Sequence, residues 1–420
     1  MNFLKTMQES SDYNGKLQVQ VTSEITSRPI AGATIQISYS GIPESTIEQL
    51  TTDSSGQSDT IELPSPPLEY SLNPSIEEQP YSEYTLNISA PGFESVSISG
   101  AEILADVTAL QNVRLRPLTE NQPPEIFVIP AHTLYGVYPP KIPEDEIKPV
   151  NETGEIVLSR VVVPEYIVVH DGSPRDTTAK NYYVKYKDYI KNVASSEIYA
   201  TWPANTIRAN VLAIMSFTLN RVYTEWYRNQ GYDFTITSST AFDHKWIPER
   251  NIYDTISEIV DELFGYYLSR PNVRQPILTQ YCDGRQVQCP NWMVQWGSMS
   301  LGEQGYTPIE ILRYYYGDDM YINIAQEISG IPSSWPGYTL EIGASGDKVR
   351  QIQEQLNVIA DAYPKIPKIT VDGIYGPATS EAVKVFQSIF GLPQTGTVDY
   401  RTWYKISEIY VGVSRIAELV

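Results

Sequence analysis

The chain has 420 residues, 41% of them hydrophobic, with 30 basic against 50 acidic side chains and a net charge of -20. This length predicts two to four domains, and the hydrophobic share, with 31 Tyr and 7 Trp, argues against a largely disordered chain. The charge argues against binding to nucleic acid or to an anionic membrane, because both require basic patches.

The negative charge is concentrated towards the N-terminus. Residues 1–160 hold 22 acidic and 8 basic side chains, so -14 of the -20 lies there. The opening MNFLKTMQESSDYNG lacks the apolar stretch of a secretory signal, and no apolar run approaches the length of a membrane span. We therefore expect a soluble protein with neither a signal peptide nor a membrane partner.

Residues 1–118 show short runs in which apolar and polar side chains alternate. Leu17, Val19 and Val21 form one such run, and turn-rich stretches such as DSSGQSD separate it from the next ones. This pattern predicts an antiparallel β-sandwich. The stretch SRPIAGATIQI resembles the carboxypeptidase regulatory-like domains, which implies a structural or interaction module.

Residues 119–160 are rich in proline and acidic residues and have little periodicity. Proline lacks a backbone donor and disfavours helix in the residue before it, so we predict an extended connector. Exposed, extended chain is what proteases cut.

Residues 161–335 predict a mostly helical α+β domain. The stretch VVVPEYIVVHDG predicts two buried strands, and Tyr189, Val193 and Glu197 fall on one helical row. A long buried helix follows, for which Asn205 or Thr206 is the expected cap and Gly231 the expected end. A further helix is predicted in YDTISEIVDELFGYYL.

Residues 336–420 follow a short Pro/Gly linker and predict a small module of three helices. The motifs SGDKVRQIQEQL, DGIYGPATSEAVKVFQ and GLPQTGTVDYRTW occur in that order. Together they resemble the peptidoglycan-binding domain of cell-wall hydrolases. Residue by residue, these positions are more often fold-defining than ligand contacts, and it is the whole module that implies wall binding.

The segment YKDYIKNVASSEIYATWP, with the later MVQWGSMSLGEQGYTPIEILRYYYG, resembles the SpoIID-type lytic transglycosylases across residues 183–317. The resemblance implies that Glu197 is the catalytic acid, whereas helical periodicity alone favours a solvated surface charge. A glycosidic bond is cleaved by a carboxylic acid that is still protonated near neutral pH, and apolar neighbours raise the pKa of a Glu in this way. No close carboxylate partner for Glu197 is visible in the sequence.

A sugar groove would use hydroxyl, amide, carboxylate and aromatic side chains, each of which is equally able to serve packing or turns. The candidates are Trp202, Ser239, Thr240, Asp243, Tyr281, Gln295 and Trp296.

The chain departs from the SpoIID pattern in places, and Ser216 stands where that family has a basic residue. Some relatives bind zinc through one His and two Cys, a role open to His244, Cys282 and Cys289. We expect no metal or other cofactor, and a disulfide or two buried thiols are the competing interpretations of the cysteines.

The order of the segments, with VVVPEYIVVHDG and SSEIYATWP, resembles the clostridial spore cortex-lytic enzymes over nearly the whole chain. That resemblance implies a zymogen from which a subtilisin-like germination protease removes the N-terminal region, by a cut expected within 140–162. It implies cortex peptidoglycan as substrate, synthesis in the mother-cell cytoplasm, and a place in the spore cortex or coat region. The N-terminal region would either cover the Glu197 groove or hold the protein in an inactive assembly.

Two other interpretations stay open. One is a SpoIID-like engulfment enzyme or a phage-type wall lysin. The other is a noncatalytic wall-binding or spore-structural protein.

Overall fold

The computed structural model describes residues 13–119, 124–149 and 158–414. The N-terminal stretch examined for a signal peptide lies almost wholly outside these residues. So do positions 150–157 of the range in which cleavage is expected.

Residues 13–119 and 124–128 form two sheets whose inner side chains share one core. The elements are β1 (Asn14–Ser23), β2 (Thr34–Tyr39), β3 (Thr46–Thr51), β4 (Ile61–Pro64), α1 (Glu69–Leu72), β5 (Ser82–Ser89), β6 (Val96–Ile103), β7 (Thr108–Leu115) and β8 (Glu125–Val128). One sheet has the order β3-β2-β5-β6-β8, and the other contains β7-β1-β4. The predicted alternation is present, since Leu17, Val19 and Val21 are all fully buried.

These sheets are mixed, which corrects the prediction of an antiparallel sandwich. Strand β7 runs parallel to β1, with Lys16 opposite Thr108, and β8 runs parallel to β6. Parallel neighbours require a crossover connection. Between β1 and β7 the chain forms four strands of the other sheet, namely β2, β3, β5 and β6. Because β8 belongs to the sandwich, the predicted connector is not extended linker throughout.

The central region is mostly helical, as predicted, with short strands around the helices. Its elements are β9 (Val162–Val163), β10 (Tyr166–His170), β11 (Asn181–Lys185), α2 (Tyr186–Glu197), α3 (Ala204–Tyr223), β12 (Ile236–Thr237), β13 (Ile252–Tyr253), α4 (Asp254–Leu263), β14 (Tyr266–Ser269), β15 (Tyr281–Cys282), β16 (Met293–Val294), α5 (Gln295–Glu303), α6 (Pro308–Tyr316), β17 (Tyr321–Ile324) and β18 (Glu327–Ile328).

Helix α3 is the centre of this region. Of its 20 residues 17 are buried, so other parts of the chain cover it on all sides. It begins at Ala204 after Pro203, so the predicted caps are wrong. The Thr206 hydroxyl instead donates to Ser298 O at 3.2 Å.

The helix ends at Tyr223, well before the predicted Gly231. The Thr224 hydroxyl donates to Asn220 O at 2.7 Å, and Glu225 has a φ of 47°, which no helix accommodates. Gly231, with a φ of 87°, ends a separate 3-10 turn that spans Arg228–Gln230.

The C-terminal region contains the three predicted helices, α7 (Asp347–Ala360), α8 (Pro377–Ile389) and α9 (Tyr400–Ser414). Two buried amides fix the turns between them. Gln353 accepts the N–H of Gly373 at 2.8 Å, and Gln387 accepts that of Gly396 at 2.9 Å. Both glycines have positive φ, so the motifs around them specify turn geometry.

The sandwich and the central region are joined by a continuous sheet. Strand β13 of the central region pairs antiparallel with β7, with Tyr253 opposite Ala109. Arg250 and Glu102 form an ion pair across the same boundary, and both side chains are fully buried. The sandwich is therefore an integral part of the fold of this chain.

Candidate active site

Glu197 is the last residue of α2, and its carboxylate is buried. Oε1 accepts the backbone N–H of Lys245 at 2.7 Å, and Oε2 accepts the hydroxyl of Tyr281. Burial raises the pKa of Glu197 above its ordinary value, although the charge of Lys141 and these hydrogen bonds oppose the rise. Glu197 thus has the environment of a carboxyl group that keeps its proton to a higher pH.

No second carboxylate hydrogen-bonds to Glu197 among the residues that the structure describes. Asp243, the other acid predicted for the groove, is fully buried and has four donors of its own. They are Arg221 Nε at 2.8 Å, Tyr227 Oη at 2.6 Å, and the N–H and hydroxyl of Thr237 at 2.9 and 2.7 Å. Asp243 therefore fixes local structure and is not poised to act with Glu197.

A small cavity adjoins Glu197. Thr240, Tyr281 and Gln295 line it, and the Gln295 side chain donates to Glu197 O at 2.9 Å. Its volume of about 60 Å³ holds roughly two waters, far below the few hundred Å³ of a site that binds a small molecule. A sugar ring does not fit beside Glu197 in this state.

The cavity is small because part of the predicted connector lies over it. We call residues Tyr138–Lys148 the strap. Its Pro139, Pro140 and Lys141 are walls of the cavity. The buried ammonium of Lys141 donates to Asp243 O and lies 5.1 Å from the ring centroid of Tyr281.

Backbone and side-chain hydrogen bonds hold the strap along its length. Ile142 N donates to Ala241 O at 2.7 Å, and Gln280 donates to Ile142 O at 2.7 Å. Gln275 pairs with the backbone of Lys148, as acceptor at 2.7 Å and as donor at 3.1 Å. The strap is thus held against the central region by hydrogen bonds, whereas the sequence predicted an extended, exposed connector.

Both tryptophans that were predicted to bind sugar, Trp202 and Trp296, lie outside the lining of the cavity beside Glu197. The rings of Trp202 and Trp296 are 5.1 Å apart and pack on Tyr199, and both are buried. Trp202 Nε1 donates to Ser71 O at 2.9 Å, which ties the aromatic cluster to the sandwich. Ser239 lies in a turn, where its carbonyl accepts the N–H of Asp243 at 2.8 Å. These positions support the site without lining it.

Cys282 and Cys289 are joined in a disulfide that closes the loop beside the cavity. His244 packs on Phe217 and bonds Tyr189 through Nδ1 at 3.0 Å. The alternative zinc set of His244, Cys282 and Cys289 is therefore not assembled here. Across the described parts of the chain, no group of three potential metal-binding side chains occurs.

Two cations near Glu197 were missed by the sequence analysis. Lys141 belongs to the segment expected to be discarded, and Lys245 follows the His244 that drew attention as a metal ligand. The only signal available was their position beside proline and aromatic residues. Both ammonium groups have a lowered pKa because burial disfavours their charged form.

Comparison with known proteins identifies the C-terminal region. Residues 345–406 match the peptidoglycan binding domain family. The chain is 39% identical over 77 residues to the zinc D-Ala-D-Ala carboxypeptidase of Streptomyces albus G, a stretch of 18% of this chain. The chain spans only 28% of that enzyme's length.

Solved structures give short matches. The SleB N-terminal domain is 28% identical, with 18% of this chain and 99% of that chain covered and a TM-score of 0.16. The minor pilin GBS52 of Streptococcus agalactiae is 15% identical, covers 27% of this chain and 48% of that chain, and has a TM-score of 0.18.

The family match over residues 345–406 supports the prediction of a helical peptidoglycan-binding domain at the C-terminus and supports peptidoglycan as a partner. In the portion of the chain that the structure describes, no helix is both long and apolar enough to cross a bilayer. The chain carries a cell-wall-binding domain.

Proposed function

We propose that this chain is the precursor of a SleC-type spore cortex-lytic enzyme, a lytic transglycosylase that cleaves the glycan strands of cortex peptidoglycan. The observation that carries the proposal is Glu197, a buried carboxyl group with a raised pKa, on a chain that also has a wall-binding domain. The other acid that lines its cavity, Asp283, accepts the backbone N–H groups of Arg285, Gln286 and Val287.

The geometry around Glu197 fits one-carboxylate chemistry. A hydrolase needs a second carboxylate, either to activate water or to act as nucleophile. In a lytic transglycosylase, protonated Glu197 gives its proton to the glycosidic oxygen as that bond breaks. The same carboxylate then takes the proton of the muramic acid 6-hydroxyl, whose oxygen bonds to the anomeric carbon. The product is a 1,6-anhydro sugar, and water is not consumed.

The neighbours of Glu197 suit both halves of this cycle. The Tyr281 hydroxyl and the Lys245 N–H stabilise the ionised carboxylate, while burial stabilises the acid. A general acid and base works best when these influences place its pKa near the working pH.

The strap supports the precursor part of the proposal. It closes the approach to Glu197, and its Lys141 favours the ionised form, which has no proton to give. Of the two inhibitory arrangements considered, covering of the groove is the one we propose. A subtilisin-like germination protease would cut between the strap and the central region, within 140–162, in the spore cortex or coat region where the protein would reside.

The decisive experiment compares the full-length protein with the protein cut in the connector, each incubated with cortex sacculi. We expect lysis only after cutting, with anhydro-muramic fragments by mass spectrometry. Glu197→Gln should lower the rate by about 10²–10⁴-fold. The matched control is Glu303→Gln, an exposed acid at the end of α5. Reducing-end products, or full activity of Glu197→Gln, would exclude the mechanism.

A noncatalytic wall-binding protein is the second candidate, because the family match covers residues 345–406 alone. It predicts that the cut protein sediments with sacculi but releases no fragments. A phage-type lysin or an engulfment enzyme predicts instead that full-length and cut protein lyse sacculi equally fast.

A further inference from the structure

The strap carries a second feature, apart from Glu197, where its acidic residues meet the central region. Glu144 reaches Arg221 of α3 through two parallel hydrogen bonds, from Nη1 at 3.0 Å and from Nη2 at 2.6 Å. A guanidinium that presents two donors side by side is the arrangement that proteins use to bind a carboxylate.

Arg221 is held in place by contacts that do not involve the strap. Its Nε donates to Asp243 at 2.8 Å, and its guanidinium carbon lies 5.0 Å from the ring centroid of Phe217 and 5.3 Å from that of Trp226. These contacts come from the central region. When the strap leaves, the fork therefore keeps its orientation and loses only the carboxylate that it held.

Arg221 is also buried as a cation. Its side chain is 0% exposed, and its position inside a folded region is sustained by charge on both sides, from Asp243 and from Glu144. Removing Glu144 takes away the acceptor of Nη1 and leaves Nη2 with Phe242 O at 3.2 Å. Because a buried donor without an acceptor is unfavourable, the fork then favours binding another carboxylate.

Glu144, the partner of this fork, also borders a groove that has room for a larger ligand. A cavity of about 840 Å³ adjoins the strap, with Trp226, Tyr232 and Phe242 from the central region and Glu144 and Lys148 from the strap in its walls. Aromatic faces next to an anion site suit a sugar that carries an acid. The wall glycan is such a polymer, since muramic acid has a lactyl carboxyl group that is either free or joined as an amide to a stem peptide with carboxylates of its own.

We propose that Arg221 is a carboxylate-binding site for the wall glycan, and that Glu144 of the strap occupies this site in the precursor as a mimic of the substrate's acid. This inference rests on the proposed function for the identity of its ligand. It gives the strap a role that mere steric cover lacks, because the strap and the substrate would compete for one pair of donors.

The test uses hydrogen exchange on the full-length protein, so that activity is not the readout. Glu144→Gln removes the charge but keeps the size, and we expect the amides of Ile142, Glu144 and Lys148 to exchange on the order of tenfold faster. The matched control is the adjacent, exposed Asp145, and Asp145→Asn should leave exchange unchanged.

Competition then identifies the ligand. N-acetylmuramic acid and a muramyl peptide with a free peptide carboxylate are added separately to the Glu144→Gln protein, each beside its carboxamide analogue. We expect an acid, and not its amide, to raise the hydrogen-exchange rate of the strap amides further. If N-acetylmuramic acid has this effect, the ligand is the lactyl carboxylate, and if the muramyl peptide has it, the ligand is the peptide carboxylate. Arg221→Lys should abolish the difference, with circular dichroism to check folding.

Equal effects of acids and amides, or equal effects of Glu144→Gln and Asp145→Asn, would overturn the inference. The proposed function fails separately, if cut protein displaying acid-dependent strap release still liberates no anhydro-muramic products.

Discussion

The Glu102–Arg250 pair allows a quantitative prediction about how firmly the sandwich is joined to the central region. The perturbation is Glu102→Ala, which removes a carboxylate from β6 and leaves the guanidinium of Arg250 buried. Arg250 also donates to Ser195 O through Nε at 3.0 Å and Nη2 at 2.6 Å, two residues before Glu197. The pair therefore links the sandwich to the end of the helix that carries the candidate acid.

The magnitude follows from burial. Both side chains are at most 1% exposed, and removing one partner of a buried pair costs about 3–5 kcal/mol because the other charge is left uncompensated. The same interface contains a control, Arg114 with Asp188 at 3.0 Å, whose side chains are 54% and 36% exposed. An exposed pair contributes about 0–1 kcal/mol, so Arg114→Ala should be nearly silent.

The assay is urea unfolding followed by tryptophan fluorescence. All seven tryptophans lie beyond residue 160, so the signal reports the central and C-terminal regions rather than the mutated sandwich. We expect Glu102→Ala to lower the free energy of unfolding by about 3–5 kcal/mol. The double variant Glu102→Ala/Arg250→Met should recover part of this loss, because no unpaired charge remains. If Glu102→Ala and Arg114→Ala cost the same small amount, the reasoning from burial is wrong.

Three further predictions concern the site and its surroundings. Tyr281→Phe removes a hydrogen bond that stabilises ionised Glu197, so the pKa of Glu197 should rise further. The alkaline limb of the pH–rate profile of the cut protein should then move to higher pH. An unchanged limb would show that Glu197 is not the titrating acid. The double variant Cys282→Ser/Cys289→Ser opens a loop with a sequence separation of 7. It should lower the free energy of unfolding in urea by at most about 2.5 kcal/mol. If reducing the disulfide of the wild type left this free energy unchanged, the disulfide would not stabilise the fold. The pKa values of Asp261 and Glu408 are both held below their ordinary range. Burial opposes this, but Lys187 and the neighbouring lysines together outweigh it. Their stabilising contribution is present above the unfolded-state pKa of about 4 and is lost as pH falls through the lower folded values, so acid unfolding monitored by fluorescence should show a smaller drop in stability for Lys187→Met than for the wild type.

Much of the fold was predictable because the local patterns were strong. The alternation around Val19 and the helical spacing of α7 and α8 both survive in the structure, since each depends on neighbours within one element. The end of α3 was not predictable in the same way. Gly231 is a better helix terminator than Glu225 on intrinsic preference, because a positive φ is unfavourable for a residue with a Cβ, yet Glu225 adopts one.

The candidate site also contains residues that the sequence could predict and residues that it could not. Tyr281 and Gln295 were named as candidates by residue type, and both are beside Glu197. Trp202 and Trp296 were named for the same reason, and they pack together, because an aromatic ring serves a core as well as a sugar. Lys141 was not found, since nothing local reveals that a proline-rich connector folds back over a distant glutamate.

The pairing of β13 with β7 has a kinetic consequence. A peptide bond cut in the connector severs the covalent link, but the ladder at Tyr253 and Ala109 and the buried charges beside it remain in place. Proteolysis alone thus yields a nicked complex, and the sandwich must then dissociate before the core is free. We expect lysis by the proposed enzyme to begin after a lag set by that dissociation rate, so that an interface as well as a protease would set its timing.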